Sequence, residues 1–284
     1  MTSSRFERMV VSLPQGTGSK SGIRTAADLA EFLNIELLGT FIADANLRSL
    51  IGLPGRELRM LDLQWQPIDL TRISRDLEDI TDFVRSRFIE SVGNRAVKTS
   101  FDVIAGAHIL GSLIRAGDIV AILEPTHPGE RITQQFAGLI DVAFGKAAAI
   151  LVVPRRVLRT SGPIVAVATS SDDPSIRAAL EMTAALKERL IIVSQSGIPP
   201  SAEILDRARQ LGVQVEQHTS DTAPIGGAAA PHQSKERLRV TSRVQRSSDT
   251  HSLFSTLAGV PLLIIEPRRA GLDAINKMQE TVNP

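Results

Sequence analysis

Short apolar runs alternate along this chain with longer stretches in which apolar residues recur every three or four positions. The opening run "MVVSL" predicts a strand over Val10–Leu13, the next stretch a helix over Gly22–Leu33, and the run after it a strand over Leu37–Ala43. An excursion from Asn46 to Asp69 follows and holds the single tryptophan, Trp65. Ile73, Leu77, Ile80, Val84 and Phe88 then fall at helical spacing and predict a helix from about Thr71 to Val92. A strand near Val97–Val103, a short helix near Ala107–Ala116, a strand over Asp118–Pro125, a helix in "RITQQFAGLIDVAF" and a strand in "AAILVVP" complete the series. Strands alternating with helices predict a parallel sheet covered on both faces. The unbroken runs "IVAIL" and "AILVV" suit strands buried on both sides.

The pattern then repeats. "PIVAVATSSDDPSIRAALEMTAALKERLIIVSQ", from Pro163, gives the same apolar run, polar loop, helix start and second apolar run as the stretch from Met9. In phase, Ile23, Arg24, Ala26, Leu29, Leu33 and Leu37 fall on Ile176, Arg177, Ala179, Met182, Leu186 and Leu190. The ends match too: "AILVVPRR" closes the first unit and "LLIIEPRR" the second. We therefore expect two units, residues 1–157 and 160–284. The second is degenerate in its middle. "TAPIGGAAAPHQSKE" reads as loop. "RLRVTSRV" sets Arg237, Arg239 and Arg243 against Leu238, Val240 and Val244, which predicts an edge strand, an exposed one, or no regular strand at all.

Composition narrows the picture only a little. The 284 residues carry a net charge of +1, so no global field selects nucleic acid, membrane or acidic substrates. Cysteine is absent, which excludes disulfides and thiolate chemistry and fits a reducing compartment. No apolar run reaches the roughly 18–20 residues of a spanning helix, and the N-terminal run is too short and broken for a signal peptide. The expected location is the cytoplasm.

The loop "LPQGTGSKSG" invites a phosphate-binding reading, because glycine-rich backbone before a helix start suits anions. The spacing of a P-loop fails, since Ser19 rather than Lys20 follows Gly18 and Leu13 takes the earlier glycine position. The dinucleotide fingerprint fails at Ser21. A turn with Ser19 or Ser21 as N-cap accounts for every residue present. In the second unit, Asp173 reads as an N-cap and Pro174 as the first helical residue, which puts negative charge where phosphate would sit. The five histidines, His108, His127, His218, His232 and His251, show no ligand spacing. Asp249, His251 and Ser252 hold the residue types of a hydrolase triad, but "DTHS" reads as a capped helix start. "RDLEDITDFVRSR" reads as a solvated helix face. From Lys235 to Arg246 five basic residues face one acid, read as a solvated strand edge rather than a nucleic-acid surface, which would call for stacking aromatics.

Two tandem units of this kind resemble the universal stress protein family. The resemblance is carried by "MVVSLPQG…IRTAADLAEFL", "VIAGAHILGSLIRAGDIVAIL" and "AAAILVVP" and by their echoes in the second unit. It implies two doubly wound, Rossmann-like α/β domains with parallel five-stranded sheets, packed as an internal pseudo-dimer. It also implies ATP or AMP at the carboxyl ends of the first and fourth strands. The family's adenine-contacting Asp is replaced near Pro14 or Gln15 and near Thr169 or Ser170, and neither unit keeps the glycine spacing of its phosphate loop. The expected function is thus a non-enzymatic, stress-linked regulatory protein with nucleotide binding weak or lost and no cofactor, metal or catalytic group. One alternative is an ATP/AMP-binding switch or weak ATPase in the first unit, using Gly16, Gly18, Ser19 and Lys20 with Thr126 and Gly129. Another is a protein scaffold built on the excursion around Trp65. Partners are then a second protein or a second copy, not membrane or nucleic acid.

Overall fold

A computed structural model describes residues 6–13, 20–43, 56–59, 63–67, 69–105, 107–125, 129, 133–195, 197–220, 235–242 and 259–265. The first half supplies strands β1 (Arg8–Leu13), β2 (Glu36–Ala43), β5 (Thr99–Ala105), β6 (Asp118–Leu123) and β7 (Ala149–Val153). The second supplies β8 (Ile164–Ala168), β9 (Leu190–Gln195), β10 (Val215–Ser220), β11 (Leu238–Ser242) and β12 (Leu262–Ile265). All ten join in one sheet, ordered β10-β9-β8-β11-β12-β7-β6-β1-β2-β5. Every pairing is parallel except the central one, where β12 runs antiparallel to β7 with Leu263 opposite Leu151. The strand order is therefore the same read outward from that seam in either direction. Both five-stranded parallel halves expected from the repeat are present, and the matched apolar ends of the two units pair with each other and join them in one sheet.

Helices α1 (Lys20–Leu33), α2 (Leu70–Val92), α5 (Pro174–Leu186) and α6 (Ala202–Gln210) cover one face of this sheet. Helices α3 (Ala107–Leu113) and α4 (Gln134–Lys146) cover the other face of the first half. The internal repetition reaches down to backbone conformation. Ile23, Ala26 and Leu29 of α1 and their counterparts Ile176, Ala179 and Met182 of α5 are all buried, while Arg24 and Arg177 are exposed. Each helix is followed at the same position by a left-handed residue, Asn34 at φ 53° and Lys187 at φ 54°, which stops it. One glycine is dictated by packing: a Cβ on Gly39 in β2 would lie 2.9 Å from the buried Phe88 ring of α2.

Several boundaries differ from expectation. The fifth strand begins at Thr99, two residues later than the apolar run suggested. The excursion contains a hairpin of its own, β3 (Arg56–Arg59) paired with β4 (Gln64–Pro67), and ends on Asp69, which caps α2 by accepting from the Arg72 amide. Ser21 lies inside α1 rather than capping it. The largest correction concerns "RLRVTSRV". Its described part is β11, a central strand flanked by β8 and β12. Arg237 precedes the strand, and Arg239 is held by the buried carboxylate of Glu236, so neither forms a solvated edge. Arg243 and Arg246, "DTHS" and the chain after residue 265 lie outside the described residues.

Candidate functional site

In a doubly wound sheet a ligand crevice opens at the carboxyl ends of the strands where the order reverses. Here that point falls between β1 and β6 in the first half and between β8 and β11 in the second. Because β7 and β12 are antiparallel, the two crevices open on opposite edges of the sheet.

The second crevice is built around one carboxylate. β8 ends at Ala168, and the chain turns through Ser170–Asp172 to enter α5 at Pro174, whose fixed φ suits a first helical residue. Asp173, only 1% exposed, caps that helix by accepting from the Ser175 amide at 2.9 Å. Its other oxygen accepts from the amide and the hydroxyl of Thr169, each at 2.9 Å. The Ser242 hydroxyl, at the far end of β11, donates to the first oxygen and so ties the two switch strands together. Burial pushes this carboxyl up, but hydrogen bonds from Ser242, Thr169 and Ser175 outweigh it and hold the group below its ordinary value. The anion position at the start of α5 is thus filled by the chain's own charge.

In the first half a carboxylate also stands at the mouth of the crevice. Glu124, just past β6, accepts from the Arg155 amide at 2.6 Å, and the Arg155 carbonyl accepts in turn from Ser21 of α1. Thr133 caps α4 by accepting from the Phe136 amide at 3.2 Å, which uses a donor that an anion would need. Beneath this edge Ser12 of β1 lies opposite Thr40 of β2; both are buried, and the Thr40 hydroxyl has no hydrogen-bond partner.

No family model matches the chain, and no curated protein does. Among solved structures, a universal stress protein from Archaeoglobus fulgidus DSM 4304 superposes with a TM-score of 0.54 at 13% identity, covering 90% of this chain and 96% of that one. The chain has the fold of a universal stress protein. Looser likenesses are found to a Pseudomonas aeruginosa UCBPP-PA14 protein (TM-score 0.43, 15% identity, 98% of both chains) and to a functionally unknown protein of Pseudomonas aeruginosa PAO1 (TM-score 0.40, 14% identity, 97% of this chain and 96% of that one).

Within this universal stress protein fold only two of the six residues singled out for an anion, Lys20 and Gly129, are among the described residues. Gly16, Gly18, Ser19 and Thr126 lie outside the described residues. Lys20 opens α1 and reaches Glu90 of α2 at 2.8 Å, where its ammonium lowers the Glu90 carboxyl. Gly129 is exposed with open space around it. Of the basic stretch, Lys235 is exposed, whereas Arg237 and Arg239 are engaged by neighbouring groups. The Arg237 guanidinium stacks 5.3 Å over the Phe32 ring of α1 and lies 3.7 Å from Glu188, which links the halves. Among the described residues no three metal-ligating side chains converge, and no helix is long and apolar enough to cross a membrane. Sequence reasoning found Asp173 through its Asp-Pro-Ser pattern. It missed Ser242, sixty-nine positions away, because no local signal ties a strand's last serine to a helix cap.

Proposed function

We propose that the protein is a non-enzymatic, stress-linked regulatory protein of the universal stress type, acting in the cytoplasm, with nucleotide binding weak or lost. The observation that carries this reading is the pair of carboxylates at the crevices: Asp173 fills the anion position of the second, and Glu124 stands at the mouth of the first. A polyphosphate entering either would meet like charge in partly desolvated surroundings, where repulsion costs several times its value in water. On this reading the two halves act as an internal pseudo-dimer whose output is a contact with another protein.

The second reading is an ATP- or AMP-binding switch in the first half. The partnerless Thr40 hydroxyl favours it, since a buried polar group without a hydrogen bond is a place where a polar ligand would gain. Thermal unfolding with and without millimolar ATP, ADP or AMP plus Mg²⁺ separates the two. A ligand at 100 times its Kd adds about 2.7 kcal/mol of stability. The regulatory reading expects no shift of the midpoint; a shift that is lost on Lys20→Ala or Gly129→Ala would establish the switch instead.

A further inference from the structure

The amphipathic stripe of α2 runs on past the core that its end covers. Val84, Phe88 and Val92 are buried, whereas Ile80 and Phe83 are 40% and 52% exposed. Nine large apolar side chains are exposed among the described residues, and five of them, Leu63, Trp65, Ile80, Phe83 and Ile89, belong to the β3–β4 hairpin and α2. Single exposed apolar residues need no explanation, but a concentration of this kind marks a contact surface.

The side of α2 beside the buried stripe carries Ile73, Asp76, Ile80, Phe83 and Arg87. Their 3-4-3-4 spacing is that of a helix pairing seam. Its order is self-complementary: two apolar residues in the middle, an acid on one side and a base on the other. Laid antiparallel on itself about the point between Ile80 and Phe83, the seam sets Ile80 against Phe83 of the second helix and Asp76 against its Arg87, twice over. Arg87 is already extended over the Phe83 ring, 5.5 Å from its centroid, so its charge sits on the seam. The other charges between Ile73 and Arg87 are Arg75, Glu78, Asp79, Asp82 and Arg85; at 100° per residue Asp79 flanks the seam, about 80° from its middle, and the rest fall on other sides of the helix.

We propose that two copies of this chain associate through α2, antiparallel and about a two-fold axis between Ile80 and Phe83. Such an interface is isologous and closes at two copies. The apolar residues supply the affinity, and the Asp76–Arg87 pairs fix direction and register. The arrangement is independent of any ligand in the crevices.

Sedimentation equilibrium of the full chain over a concentration series tests it. A monomer–dimer equilibrium is expected, and Phe83→Asp should abolish the dimer while leaving the thermal midpoint unchanged at dilutions where the parent is itself monomeric, because the side chain is exposed. Asp76→Arg and Arg87→Asp should each weaken the dimer, and the double variant carrying both should restore it. Since the chain has no cysteine, Ile80→Cys and Phe83→Cys proteins can be mixed and oxidised, and a covalent heterodimer should accumulate faster than with Ile198→Cys as the remote exposed control. A chain that stays monomeric throughout, or a dimer indifferent to Phe83→Asp and to both single charge reversals, would overturn the proposal.

Discussion

Replacing Asp173 by alanine removes a helix cap and a crossbrace between two strands in one step. The cap is worth about 1 kcal/mol. The second carboxylate oxygen holds the amide and hydroxyl of Thr169, and the Ser242 hydroxyl loses its acceptor as well. Leaving such buried donors short of partners costs about 1–3 kcal/mol more, so a total near 3 kcal/mol is expected. Urea unfolding followed by far-ultraviolet circular dichroism at neutral pH reads this directly. Asp173→Asn keeps an acceptor for the Ser175 amide and should cost about half as much. The acid limb carries an independent sign. A carboxyl lowered in the folded state contributes stability that is complete above its unfolded value, about 3.9, and is lost as pH falls through the folded value. The parent should therefore lose stability on acidification through that window, and Asp173→Asn should lose less. An alanine variant within about 1 kcal/mol of the parent, or an asparagine variant with an unchanged acid limb, would refute the reasoning.

Two further perturbations probe the scaffold. Arg8 donates from Nε and a terminal nitrogen to both oxygens of Asp118, which is fully buried, and also to the Leu113 carbonyl. Arg8→Met leaves that buried carboxylate with the Arg115 amide but without the guanidinium, and should cost about 3–5 kcal/mol in chemical denaturation, while replacing both partners by apolar residues should cost clearly less. Gly39→Ala forces a methyl onto the Phe88 ring and should cost about 1–3 kcal/mol, with Phe88→Leu on the same chain recovering part of the loss in melting temperature.

The fold was legible where burial repeats at a fixed period. Leu29 and Met182, or Leu37 and Leu190, sit at matched places in matched elements because each copy of the pattern must bury the same face. What the sequence hid was long-range. Nothing local in "AILVV" or "LLII" says that they pair with each other, since any sheet edge offers the same unpaired backbone groups. The arginines of "RLRV" were misleading because alternation records polarity without partners. Arg239 is neutralised by Glu236 three residues away, so a central strand tolerates it, and Arg237, just before the strand, is met by Glu188 from the turn between α5 and β9. The site was half legible. Asp173 announces itself as a cap, but the hydroxyl that turns the cap into a closure comes from β11, and the Glu124 contact depends on the exit of a neighbouring strand.

The seam between β7 and β12 also has a consequence for biosynthesis. Ala149 waits for Ile265 to complete its pairing. At roughly 5–20 residues per second of elongation, the intervening chain takes on the order of ten seconds to emerge from a ribosome. During that interval the nascent first half presents β7 as an open, wholly apolar strand edge, the kind of template that captures neighbouring chains. A polysome crowded with such intermediates would favour cross-pairing between nascent copies over the intramolecular closure, so yield in cells should depend on translation rate and on chaperones that shield that one edge.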